Sequence, residues 1–363
     1  MLLKNDGNLL PLSKKLRSVL VVGPNAASTS FADNRYGPYS PATISVLDGV
    51  KRVVAPTTDV KYALGCALVD PNWPESELLP EPLSEGEKAL IDQAGAIART
   101  SDVAIVVVGE SDSIVGESLS RTSLDLPGRQ LDLIKAIHAT GTPTVVVLIN
   151  GRALTVNWVA KHVPSVLEAM FPGEFGGLAV AEALFGDVNP GGKLSFTVPK
   201  TVGQIPMNFP TKPFAQAEQT GGGPNGTSTL ANGVLYPFGH GLSYTSFAYA
   251  NLQISPRQQK VGGDVGVTVD VTNTGVRPGD EVVQLYLQDV LSSVVTYEQV
   301  LRGLARITLA PGEKRTVSFT LTAEDLQLLD AEMRWVVEPG EFEVRIGSSS
   351  ADIRVKGRFA IVE

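Results

Sequence analysis

An α/β class is predicted, with a mostly parallel α/β sandwich domain followed by an all-β sandwich, and three observations predict it. From Ser18 to about Pro206, β-branched apolar runs alternate with stretches at helical spacing, the pattern of a parallel sheet with helices on its faces. Beyond Tyr249 the pattern shortens to alternating strands separated by turns such as Asn273-Thr274-Gly275, Pro278-Gly279, Pro311-Gly312 and Pro339-Gly340, as in two-sheet sandwiches. Between them, a polar, Gly-rich stretch from about Phe209 to Asn232 has no periodicity and reads as a linker. The expected division is 1–208 for the α/β domain, 209–248 for the linker or loop and 249–363 for the sandwich. A chain of 363 residues is long enough for two cores.

In the first region, strands are expected at Val19–Val22, Val103–Val108, Thr144–Ile149, Ser165–Ala169 and Lys193–Val198. Helices are expected at Ile44–Val53, Gly86–Thr100, Gly128–Ala139 and Gly177–Phe185. Ser84 precedes the second of these with Glu87 three residues on, the spacing of a capping box. The helix itself places Ala89, Leu90, Gln93, Ala94, Ile97 and Ala98 on one stripe. The segment Cys66–Glu85, rich in Pro and Glu, reads as a surface excursion. In the second region, strands are expected at Val265–Thr272, Glu281–Gln288, Gln299–Leu309, Lys314–Leu321, Arg334–Val336 and Gly340–Gly347. With no cysteine pair, a fibronectin type III-like sandwich fits better than an immunoglobulin one. Trp335 stands alone and reads as core.

Composition narrows the function classes. A net charge of −8 argues against a nucleic-acid partner, which needs concentrated Lys and Arg. Cys66 is the single cysteine, so no intramolecular disulfide forms and the redox compartment stays open. His138, His162 and His240 lie far apart, so no metal site is expected. No apolar run is long enough for a membrane-spanning helix. The start, MLLKNDGNLLPLSKK, lacks the order of a secretory signal and reads like a sequence entered in mid-protein. Localisation is left unassigned.

Chemistry is concentrated in Gly109–Arg121, directly after the run Val103–Val108. Loops leaving the carboxyl ends of strands in an open α/β sheet are where ligands bind. Glu117, between Gly116 and small serines, is a candidate proton donor; the competing reading is a solvated loop glutamate or a partner of Arg121. Glu110 and Asp112 compete for the same role, Glu110 being the nearer to the strand and the more suited to a structural hydrogen bond. Arg121 can pair with a carboxylate or hold a sugar hydroxyl. Asn150-Gly151-Arg152 ends the strand Thr144–Ile149, either near the site or as a plain turn. Three other signals fail: Val21–Asn25 lacks the glycines of a dinucleotide site, Gly186–Leu194 has the wrong spacing for a phosphate loop, and Gly109–Ser113 does not satisfy G-x-S-x-G.

Taken together, LLKNDGNLLPL at 2–12, VVGPNA at 21–26, VVVGESDSIVGESLSRTSLDLPGRQLDLI at 106–134 and INGRAL at 149–154 resemble the C-terminal part of glycoside hydrolase family 3 enzymes of the bacterial β-glucosidase and β-xylosidase type. The resemblance continues through FPGEFGGLAVAEALFGDVNPGGKLSFTVP at 171–199, YPFGHGLSYTSF at 236–247 and VTNTGVRPGDEVVQLYLQD at 271–289, and so spans essentially the whole chain. It implies a barrel, an α/β sandwich and a fibronectin type III-like domain in that order, with the nucleophilic aspartate on the barrel. It also implies an acid/base glutamate four residues before an arginine on the α/β sandwich. Glu117 and Arg121 match that spacing, which makes Glu117 the acid/base candidate with Glu110 as fallback. Arg121 and Ser120, which stands where the family more often has an acidic residue, become candidate substrate-binding residues. The resemblance further implies a retaining, exo-acting β-glycosidase with a β-linked oligosaccharide or glycoside as substrate and no cofactor or metal. No nucleophile motif occurs in this chain, so an N-terminal barrel, missing or separate, is the implied partner, and the chain alone is expected to be inactive. The alternative is a non-catalytic carbohydrate-binding or scaffold protein of the same descent. Relatives are often periplasmic or secreted.

Overall fold

The computed structural model describes residues 1–30, 42–212 and 233–363. Half of the expected linker at 209–248, residues 213–232, lies outside them. The described chain forms two compact units: Met1–Pro190 with Pro199–Gly203, and Gly191–Val198 with Gln204–Glu363.

The first unit is built on a six-stranded sheet. Its strands are β1 (Leu2–Asn5), β2 (Ser18–Val22), β3 (Asp59–Ala63), β4 (Val103–Gly109), β5 (Thr144–Ile149) and β6 (Ser165–Glu168). They lie in the order β1-β6-β5-β4-β2-β3, with β1 antiparallel to β6 and the remaining pairs parallel. Every residue of β4 and β5 is buried, which is why these strands read as unbroken apolar runs. The helices are α1 (Val46–Val53), α2 (Glu75–Leu78), α3 (Glu85–Ala98), α4 (Gln130–His138), α5 (Asn157–His162) and α6 (Gly176–Phe185). The capping box at α3 forms as expected, Ser84 accepting from the Glu87 N–H while Glu87 accepts from Ser84. The buried stripe, however, is Ile91, Ala94, Gly95 and Ala98, and Leu90 is exposed. The apolar face is turned by about one residue from the expected one, with Ala94 and Ala98 common to both.

At the end of β4 the backbone is tightly constrained. Gly109 has φ of +130°, and a Cβ there would lie 2.0 Å from the Ile149 carbonyl oxygen. Buried Gln130, the first residue of α4, clamps this glycine from both sides. Its Oε1 accepts from the Gly109 N–H at 2.7 Å and its Nε2 donates to the Gly109 carbonyl at 2.9 Å. Gly109→Ala is therefore expected to destabilise the first unit by about 3 kcal/mol or more, read as a lower urea midpoint.

The second unit is a β-sandwich. Its strands are β7 (Phe247–Ser255), β8 (Gln258–Lys260), β9 (Val265–Asn273), β10 (Gly279–Asp289), β11 (Val300–Leu309), β12 (Lys314–Leu321), β13 (Leu328–Leu329), β14 (Trp335–Val336), β15 (Gly340–Gly347) and β16 (Ile353–Val362), with a one-turn helix α7 (Ala323–Leu326) after β12. One sheet runs β11-β10-β15-β16-β8 and the other β12-β9-β7, while β13 and β14 form a separate two-stranded ribbon. Strand β9 shows strict alternation, with Val265, Val267, Val269 and Val271 all fully buried. They meet Leu285, Val344 and Ile346 from the facing sheet in one core.

Two further expectations are corrected. The run Lys193–Val198 is not a strand: Val198 makes only an isolated bridge to Tyr236, and the segment belongs to the second unit. Its edge place in the first sheet is taken by β1. Trp335 is not core but 65 % exposed, on the short ribbon rather than on either sheet.

Candidate active site

The parallel strands β2, β4, β5 and β6 deliver their carboxyl ends to one edge of the first sheet, and the polar residues singled out in the sequence lie just beyond them. Glu110 follows β4 directly and is fully buried. Its backbone N–H donates to the Ile149 carbonyl at 2.7 Å, and its own carbonyl accepts from Asn25 Nδ2 at 3.0 Å. A buried carboxylate needs partners, and Glu110 has three. Arg121 Nη1 donates to Oε1 at 2.9 Å, Arg152 Nε lies 3.0 Å from the same oxygen, and the Gly151 N–H donates to Oε2 at 3.2 Å. The Asn150–Arg152 turn thus serves as the other wall of the Glu110 site.

Arg121 is nearly as enclosed, its side chain only 2 % exposed. Besides Glu110 it grips Glu77 on α2, with Nη2 at 2.6 Å and Nε at 3.0 Å from Oε1, and Nη2 also donates to the Asp125 carbonyl at 2.8 Å. Glu77 accepts in addition from the Thr122 hydroxyl and from the Trp73 indole N–H. Burial pushes the Glu77 carboxyl up, but these hydrogen bonds and the Arg121 charge outweigh it and hold the group below the usual carboxylate range. Two carboxylates and two guanidiniums balance, so the cluster is neutral. It ties α2, within the segment expected to be a surface excursion, to the base of the Gly116–Arg121 loop.

Glu117 itself is exposed. It sits in a tight turn between Gly116, with φ of +143°, and Ser118, with φ of +64°, closed by a hydrogen bond from the Leu119 N–H to the Gly116 carbonyl at 3.1 Å. A left-handed serine costs of order 1 kcal/mol or more and persists only where its surroundings determine it. Ser120 is exposed on the same loop, and Asp112 is half-buried. Of the residues named from sequence, Glu110 and Arg121 are brought into direct contact, whereas Glu117 and Ser120 are exposed on the loop that leads to Arg121.

Two acidic residues are not singled out by the sequence, Glu77 in the cluster above and Glu168. Glu168, last in β6, is buried, with Oε1 accepting from the Met170 N–H at 2.9 Å and Oε2 facing Asn150 Nδ2 at 3.3 Å. Burial pushes its carboxyl up to about 7, the two hydrogen bonds opposing only in part. In the folded state it therefore holds a proton that the unfolded chain has released, and its contribution to stability, full below the ordinary glutamate range, is lost as pH rises toward 7. Glu168→Gln is expected to gain stability relative to the parent, by a few kcal/mol, as pH is raised from 5 to 8 in parallel urea titrations. A constant difference across that range would refute it. The only hint in the sequence is a glutamate ending an apolar strand.

Residues 1–244 match the glycosyl hydrolase family 3 C-terminal domain, and residues 281–350 match a fibronectin type III-like domain. A β-xylosidase of Formosa agariphila is 42% identical over 356 residues, which is 96% of this chain and 47% of that protein. A periplasmic β-glucosidase of Salmonella typhimurium is 38% identical over 378 residues, 99% of this chain and 48% of that protein. A solved β-glucosidase structure from Erythrobacter marinus superposes with a TM-score of 0.87 at 36% identity, covering 99% of this chain and 49% of the other. The chain spans about half the length of the curated relatives it matches. With the parallel sheet, the sandwich and the matched segments in the same order, the chain belongs to glycoside hydrolase family 3, of which it carries the C-terminal α/β domain and the fibronectin type III-like domain.

Proposed function

We propose that this chain supplies the acid/base carboxyl of a retaining, exo-acting β-glycosidase of the β-glucosidase or β-xylosidase type, and that Glu117 is that group. The observation that carries the reading is an exposed glutamate on a constrained turn at the carboxyl edge of a parallel sheet, its loop anchored from beneath by a buried, charge-balanced cluster. A proton donor must reach a substrate oxygen while its backbone stays put, and this arrangement provides both. Glu110 does not meet the first need: its backbone is held, but it is fully buried and its oxygens are occupied by Arg121, Arg152 and the Gly151 N–H. Arg121 serves as a positioning residue, its donors spent on Glu77, Glu110 and Asp125 rather than left for a sugar hydroxyl.

In the proposed reaction a carboxylate outside these 363 residues attacks the anomeric carbon while Glu117 protonates the departing glycosidic oxygen. Glu117, now a carboxylate, then takes a proton from the water that releases the glycosyl-enzyme. A single carboxyl cannot perform both displacements, so the chain needs a nucleophile-bearing domain. The test mixes or fuses the chain with a family 3 barrel domain and follows p-nitrophenyl β-glucoside and β-xyloside cleavage. Turnover is expected only with both parts present. Robust hydrolysis by the 363-residue chain unaided would overturn the assignment.

A further inference from the structure

The second unit contains an open groove of about 490 Å³ that the acid/base reading does not use. Its floor is formed by core side chains, among them Leu287 and Phe342, and its rim carries Trp335 and Tyr297. Those two rings are 65 % and 43 % exposed. Large aromatic faces held in solvent at a concavity mark binding surfaces more often than chance exposure does. Beside the rings stand Asp289, at the end of β10, and Arg302, on β11. Among the described residues neither forms an ion pair, with each other or with another side chain. The Asp289 carboxyl accepts a hydrogen bond from the Leu291 N–H, and burial raises it to about 6.

We propose that this groove binds a neutral β-linked oligosaccharide, one pyranose ring lying on Trp335 and Tyr297 with its hydroxyls directed to Asp289 and Arg302. A pyranose has an apolar C–H face and an edge of hydroxyls that both donate and accept. The groove offers the same two characters, an aromatic wall and, at its side, a guanidinium donor and a carboxyl whose acceptor capacity the Leu291 N–H uses only in part. An aliphatic anchor would desolvate the guanidinium without a partner and leave the carboxyl with the Leu291 N–H alone, which is costly. The volume falls in the range of small-ligand sites rather than of extended protein interfaces. The inference needs neither Glu117 nor a nucleophile, so it stands or falls separately from the proposed reaction.

The test titrates the 363-residue chain with cellotetraose and with xylotetraose, by calorimetry and saturation-transfer NMR. Binding in the millimolar range or tighter is expected for at least one of them. Trp335→Ala should weaken it by about tenfold, and Tyr297→Ala by several-fold. Trp335 is largely in solvent, so its loss should leave the melting curve unchanged; should that variant fail to fold, Tyr297→Ala decides the matter. No binding of either tetrasaccharide, or binding that both variants retain at parental strength, would overturn the proposal.

Discussion

Replacing Glu117 with glutamine, in a polypeptide that joins this chain to a nucleophile-bearing barrel, is expected to lower hydrolysis of an alkyl β-glycoside by about 10²–10⁴-fold. The amide keeps the size and polarity of the side chain but has no proton to give the departing oxygen. With a dinitrophenyl leaving group the first step needs little protonation, so the loss should shift to release of the glycosyl-enzyme. Azide, which attacks without a general base, should then restore turnover and yield the glycosyl azide with retained configuration. That pattern separates an acid/base residue from one that merely supports the loop, since loss of support would not be repaired by an anionic nucleophile. A folded Glu117→Gln enzyme with the parental rate and no response to azide would place the acid elsewhere.

The second large effect is on stability. Arg121→Met is expected to destabilise the first unit by about 3–5 kcal/mol, because it leaves Glu110 and Glu77 with a buried charge each and no common counter-ion. Trp73, whose indole N–H donates to Glu77, offers a local reporter for the urea transition. Arg121→Lys should recover only part of the loss, since one ammonium cannot reproduce the fork that reaches Glu77, Glu110 and the Asp125 carbonyl together. In the barrel-joined enzyme the lysine variant should lose rate without gaining the azide response of Glu117→Gln, since its loop is looser but its proton donor is still present. A cost below about 1 kcal/mol for Arg121→Met, the level of an exposed ion pair, would show that the cluster does not hold the loop.

The sequence by itself determined the class of each unit and the position of the candidate acid. Val103–Val108 and Thr144–Ile149 are buried on both faces, and such strands can be written only with unbroken apolar, β-branched residues. The alternation in Val265–Asn273 arises from one face meeting the core, and it is equally visible in one dimension. Strand β3 escaped because it lies at the sheet edge, where four of its five residues are not fully buried and the pattern fades. The family motifs likewise put Glu117 forward as the candidate acid.

What only the tertiary structure decided was who faces whom. Local spacing offered Glu117 as the partner of Arg121, yet the guanidinium turns inward to Glu110 and to Glu77, the latter 44 residues upstream in a segment with no sign of such a role. Glu168 and Asn150, 18 residues apart, meet because β5 and β6 end side by side. Trp335 offered no hint of exposure, since an aromatic side chain is as suited to a core as to a groove and its burial depends on which strands pack over it. Backbone periodicity is a local property of the chain and survives in the sequence. Charge pairing and solvent exposure are properties of neighbours brought together by folding, and so they do not.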